Sequence, residues 1–151
     1  MALRLTLISV RPGSGHNAPL DALVADYLKR CGRELPATAR VFRSEKLLLD
    51  WVVAEKTAGA TALWLADLGG RSLTSEQLAD KVRDIRDGGT RHLMLGIGPA
   101  DGWSDTARKS AELRLSLSAM TLPHELARLI LAEQVYRAVT ILQGHPYHVG
   151  H

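Results

Sequence analysis

The residues with the clearest chemical potential lie in the last third of the chain. Ser118, Ala119, Met120 and Thr121 carry small or flexible side chains, so a flat ligand could approach their backbone N–H and C=O groups closely. Pro123 suits the first turn of a helix, because its missing N–H is no loss there and its φ is already helical. Gly144 stops that helix, and His145, Pro146, Tyr147 and His148 follow with two imidazoles, a pyrrolidine ring and a phenol. Within the helix, Glu133 and Arg137 stand one turn apart in the favoured orientation for an ion pair. Apolar residues coat much of its circumference: Leu126, Leu129, Ile130, Leu131, Val135, Ala138, Val139 and Leu142. A helix so coated buries more than one face, which predicts a symmetric dimer.

Two earlier places invite a ligand. Asp67 follows the apolar run of residues 60–66 and reads either as a polar contact at the carboxyl edge of a sheet or as a carboxylate satisfied by loop N–H groups. Gly96, Gly98 and Gly102 follow a second apolar run. Their third glycine falls one residue late for G-x-G-x-x-G, and no acid stands about 20 positions on to hold a ribose, which argues for a turn over a dinucleotide site. No P-loop or G-x-S-x-G pattern is present. Among the histidines, His16 and His92 are isolated, His124 opens a helix, and His145, His148 and His151 lack nearby carboxylates or thiolates. The expectation is no metal, with His92 a strand or turn residue.

The elements that must position these groups alternate along the chain. Leu3, Leu5 and Leu7 alternate with Arg4, Thr6 and Ile8 in a first strand, broken by Pro12, Gly13 and Gly15. Leu20, Leu23, Val24, Tyr27 and Leu28 fall at helical spacing, and a short strand of residues 39–42 follows. Ser44 can cap a helix striped by Leu47, Leu48, Trp51 and Val52, and Thr74 with Gln77 makes a capping box for another. The runs 60–66 and 92–97 read as strands covered on both faces, with residues 68–71 looping away from the first. Ser104 can cap a short helix before a fifth strand through Leu113, Leu115 and Leu117. Strict alternation of this kind predicts an α/β layered domain with a mainly parallel sheet and right-handed crossovers.

Size and charge bound the rest. The 151 residues suit one domain, residues 1–151, with 46% hydrophobic content. A net charge of +3 and a pI near 9.3 permit an anionic partner but fall short of a nucleic-acid arm. Cys31 alone cannot form an intrachain disulfide and reads as a helix-end packing residue. No apolar run approaches the ~18 residues of a membrane span, so a cytoplasmic protein is expected.

The segment SLSAMTLP (residues 116–123) with His124, then Ala132-Glu133, Tyr136-Arg137-Ala138 and the ending His145-Pro146-Tyr147-His148, resembles the H family of bacterial large-subunit rRNA methyltransferases, small members of the SPOUT superfamily. The resemblance implies a C-terminal trefoil knot, a homodimer, S-adenosylmethionine as cofactor, and methylation at N3 of a pseudouridine in 23S rRNA of the ribosome. Carried over by position, Ser118, Ala119, Met120, Thr121, Leu122 and Pro123 would meet the adenosine, with contacts from Ala66, Asp67 and Gly98. Arg137, Tyr147 and His148 would face the target nucleotide, the Arg holding phosphate or base and the Tyr stacking, with His148 the nearest proton acceptor. A non-catalytic dimeric relative that binds the cofactor or RNA is the alternative. Its marks are the longer turn of residues 96–102 and Val149, where the family places a basic residue.

Overall fold

The computed structural model describes residues 2–12 and 17–149. Gly13, Gly15, His16 and His151, which entered the sequence reading, lie outside the described residues. The elements run β1 (Arg4–Val10), α1 (Ala18–Arg30), β2 (Ala37–Phe42), α2 (Glu45–Ala58), β3 (Thr61–Ser72), α3 (Ser75–Asp87), β4 (His92–Ile97), α4 (Asp105–Ser110), β5 (Leu113–Ser116) and α5 (His124–Gln143). The five strands form one parallel sheet in the order β2-β1-β4-β3-β5, as the alternation of strands and helices predicts.

Caps set the helix starts. The side chains of Ser44, Thr74 and Ser104 accept hydrogen bonds from the backbone N–H groups of Leu47, Gln77 and Ala107, and Gln77 returns the bond to Thr74. Pro123 precedes the first turn of α5, and Gly144 ends it at φ 70°, a left-handed conformation that favours glycine.

The sheet is covered on both faces. Leu3, Leu5, Leu7, Leu93 and Leu95 pack against Val24 and Leu28 of α1, Leu78 and Val82 of α3, and Leu131, Val135 and Val139 of α5. Ile8, Val10, Leu63, Leu65 and Met94 pack on the other side against Leu48 and Val52 of α2 and Ala107 of α4. Each such side chain taken from water contributes roughly 1.5–3 kcal/mol. This double cover explains why β1, which alternates in sequence, is buried at every residue after Arg4. It lies between β2 and β4, and Ile8 faces a second core where the alternation placed the strand's polar side.

Two differences from the sequence reading matter for the site. β3 does not loop away after Ala66 but continues to Ser72, with a bulge against β5 in which Leu115 pairs with both Ala66 and Arg71. A Cβ on Gly70 would lie 2.7 Å from the backbone of Arg114 and Leu115, so the close approach of the two strands requires glycine there. Second, α5 is covered within this chain on more sides than a single layer provides, because it packs against α1, α3 and the sheet. The large apolar side chains left exposed there are Leu126 and Ile130, with Leu23 on α1 and Met120 before α5.

Candidate functional site

A cleft of about 700 Å³ opens at the carboxyl end of β4 and beside the bulge of β3, where parallel sheets place ligand loops and in the size range of small-molecule sites. Ala66, Asp67 and Leu68 line it from β3, residues 97–103 from the loop after β4, and residues 116–118 and 120–124 from the segment between β5 and α5. Of the residues expected to meet a cofactor, Ala66, Asp67, Gly98, Ser118, Met120, Thr121, Leu122 and Pro123 therefore share one cavity. Ala119 sits on the exposed crest of the loop, outside the lining. The loop is shaped locally: Ser116 Oγ donates to the Ser118 carbonyl at 2.9 Å, and Ser118 Oγ accepts from the Met120 N–H at 2.9 Å.

The glycines after β4 have a packing role. Trp103, 4% exposed, folds back under the strand and donates Nε1–H to the Ala66 carbonyl at 2.9 Å. A Cβ on Gly98 would lie 2.8 Å from its indole, and one on Gly96 3.0 Å from it and 2.9 Å from Leu65. The glycine pair makes room for a buried ring that braces the cleft wall, so the segment is a turn built around Trp103.

Asp67 lines the cleft beside the sheet. It is not satisfied by loop N–H groups; its Oδ2 accepts from Arg108 Nε at 3.2 Å and Arg114 Nη1 at 3.1 Å, and its side chain is only 10% exposed. Nothing in the sequence marks Arg108 and Arg114, because the bulge of β3 brings them to Asp67. At the start of α5, Arg128 is 3% exposed and donates to Asp21 Oδ1 from Nη1 at 2.8 Å and Nη2 at 2.6 Å. Arg11 joins Asp21 to Glu125, with hydrogen bonds of 2.9 and 2.8 Å. Arg128 and Asp21, and Arg11 and Glu125, stand more than a hundred residues apart in the chain, beyond any local pattern. His124 lines the cleft, and burial pushes its pKa below the ordinary value.

The three residues expected at the nucleotide do meet, but at the other end of α5. Glu133 accepts two hydrogen bonds from Arg137 Nε and one of 2.9 Å from Nη2, and a 3.0 Å bond from the Tyr147 hydroxyl. The pair is thus half-buried and shared, unlike an ordinary surface ion pair. Arg137 lies over the Tyr147 ring at 5.0 Å, and Tyr147 meets Tyr136 edge-on. Burial and the bond to Glu133 push the Tyr147 phenol up to about 12, so it remains a donor. Arg137 Nη1 contacts His148 Nδ1 at 3.0 Å, and His148 Nε2 contacts Glu76. A guanidinium can only donate, which places the imidazole hydrogen on Nε2, toward Glu76. The Glu76 carboxyl is held below its usual range by that contact. Arg137 stands ten residues beyond Ala127 of the cleft, about 15 Å along the helix at its normal rise.

No group of three or more metal-ligating side chains occurs among the described residues, and no helix there is long and apolar enough to cross a membrane. A family model described as predicted SPOUT methyltransferase matches residues 3–148. The ribosomal RNA large subunit methyltransferase H of Koribacter versatilis is 42% identical over 153 residues, covering 100% of both chains. That of Laribacter hongkongensis is 39% identical, covering 97% of this chain and 99% of its own. Among solved structures, a probable methyltransferase from Bordetella pertussis Tohama I matches with TM-score 0.59 at 14% identity, over 91% of this chain and 96% of that one. The SpoU methyltransferase AviRb from Streptomyces viridochromogenes, solved in complex with AdoMet, matches with TM-score 0.53 at 19% identity, over 93% of this chain and 58% of that one. The structures speak to the fold and the sequences to kinship: this chain belongs to the SPOUT methyltransferase family.

Proposed function

We propose that this protein is an S-adenosylmethionine-dependent rRNA methyltransferase acting at N3 of a pseudouridine in 23S rRNA of the ribosome, as a cytoplasmic homodimer. The observation that carries the reading is the cleft of about 700 Å³ walled by residues 116–118 and 120–123, in a chain 42% identical over its whole length to a ribosomal RNA large subunit methyltransferase H. The donor set fits such a cofactor. Loop backbone and small side chains suit an adenosine, the flanking Leu117 and Leu122 supply apolar surface, and charged groups stand on the β3 and α4 side. When bound, the cofactor supplies an activated methyl group, so the protein's task is alignment and removal of a weakly acidic imide proton.

Arg137, Tyr147 and His148 are the residues proposed to hold the nucleotide. Their distance from the cleft of the same chain supports a shared site, in which one protomer's tail serves its partner's cleft. Leu23, Met120, Leu126 and Ile130 are the exposed apolar side chains available to such an interface. A path that leaves the sheet at edge strand β5, lines the ends of β3 and β4 and enters α5 beside α1 supports the C-terminal knot of the same reading. The lone pair of the His148 imidazole already faces Arg137, so it accepts a proton only after Arg137 turns to the nucleotide.

A non-catalytic binding module is the second reading, favoured by one observation: Arg137, Tyr147 and His148 are all engaged with partners inside this chain. Mass analysis of 23S rRNA from a deletion strain separates the two. Loss of the N3-methyl mark on pseudouridine, restored by the gene, is expected; a mark that persists unchanged rules the enzyme out.

A further inference from the structure

We propose that Arg108, held by Asp67, is the clamp for the carboxylate at the amino-acid end of the cofactor, a positioning residue for the proposed methyl transfer; the inference rests on that reading. The cleft has unlike walls. The loop before α5 contributes backbone, hydroxyls and apolar side chains, whereas the side formed by β3, the turn after β4 and α4 carries Asp67, Asp101 and Arg108. Arg108 is the one guanidinium or ammonium group among the described lining residues. A carboxylate leaving water for a largely apolar cavity is retained only against a paired charge with hydrogen bonds.

The guanidinium is poised for this. Nε donates to Asp67 Oδ2 at 3.2 Å and Nη1 to Asp105 Oδ1 at 3.3 Å, which leaves Nη2 without a hydrogen bond among the described residues. Nη2 lies against the turn: a Cβ on Gly102 would stand 3.7 Å from it, and Gly102 has φ +89°, a conformation that keeps the position free of a side chain. Asp67 is nearly buried and already shares its Oδ2 with Arg114, so two guanidiniums surround one carboxylate. Asp105, the other acidic partner, is almost fully in solvent and screened. The free Nη2 edge of Arg108 lies against the turn that lines the cleft, and tethering to Asp67 lowers the ordering entropy the clamp must lose on binding.

The test is calorimetric titration of the full-length protein with S-adenosylhomocysteine and with 5′-methylthioadenosine, which keeps the adenosine and sulfur but lacks the amino acid. Arg108→Gln should weaken S-adenosylhomocysteine roughly 10- to 100-fold, as expected for a charge-assisted hydrogen bond, and leave methylthioadenosine within about two-fold. Arg108→Lys should recover part of the loss as a point charge. Equal loss for both ligands makes Arg108 a structural support of the cleft, and no loss for either places the carboxylate elsewhere; both outcomes overturn the clamp. If Arg108→Gln does not fold, Asp67→Asn must show the same selective loss in smaller measure. A wild-type protein that binds neither ligand nor S-adenosylmethionine at millimolar concentration sinks the cofactor reading itself, a failure recognised without any variant.

Discussion

The cleft beside the bulge of β3 and the end of β4 is walled by loop backbone and apolar side chains around a braced tryptophan, whereas the cluster at the end of α5 is a ring of charged and aromatic groups. The first offers open volume. The second has its donors and acceptors already paired within the chain. A cleft of this kind can take a ligand with little rearrangement, while the cluster must exchange internal partners for those of a substrate. On the proposed reading, cofactor binding and nucleotide handling are separable, carried toward opposite ends of one helix.

The largest effect that would break this comparison comes from the cleft's brace. Trp103→Ala removes a ring buried beneath Gly96 and Gly98 and should destabilise the chain by about 3–5 kcal/mol in urea unfolding. A loss under about 1 kcal/mol would show that the indole does not hold the wall. At the cluster, Arg137→Ala should lower methyl transfer roughly 100-fold, the scale of one lost transition-state contact, with S-adenosylmethionine affinity within about two-fold. Parallel loss of both would mean that Arg137 supports the fold through Glu133 and that the regions are not separable.

Mixing sharpens the comparison further. Thr121→Trp should fill the cleft and Arg137→Ala disable the cluster, each leaving little activity alone. If one protomer's cluster serves its partner's cleft, random assortment of the two variants should restore about a quarter of wild-type activity. No recovery on mixing places cleft and cluster of one active unit in the same chain.

The smallest effect sets the cleft against the far end of the sheet. His124 in the cleft and His92 beneath Trp51 both titrate below the ordinary 6.5, mainly through burial, with the nearby Arg4 charge adding to the effect at His92. Each is therefore favoured neutral in the folded chain. The unfolded chain takes up a proton first as pH drops below about 6.5, so stability is full above that value and declines from there down to the folded pKa. His92→Gln, which can keep a bond to Thr6 Oγ1, should flatten part of this acid decline in melts between about pH 7.5 and 5. An unchanged slope would assign the decline to His124 and the carboxylates.

Much of this architecture was legible in local patterns. Capping residues at Ser44, Thr74 and Ser104, the turn at Gly144 and the apolar strands 60–66 and 92–97 fell where expected, because each is decided by neighbours within a few residues. The cavity-lining residues 118 and 120–123 were equally readable from the segment's small residues and from its family resemblance. The continuation of β3 past Asp67 was not, because Leu68, Gly69, Gly70 and Arg71 read as a loop until β5 lies alongside to pair with Arg71 and Ser72. Asp67 could not be assigned for the same reason.

By itself, the sequence determined the alternation of strands and helices, their caps and ends, and the identity of the groups that can do chemistry, since these depend on side-chain type and short-range spacing. Only the tertiary structure decided which groups meet. It paired Asp67 with Arg108 and Arg114 through a strand bulge, joined Arg11, Asp21, Glu125 and Arg128 across more than a hundred residues, and set Arg137, Tyr147 and His148 beyond the cleft toward the far end of α5. Such contacts arise from the order in which strands pack, and no residue's immediate neighbours encode that order.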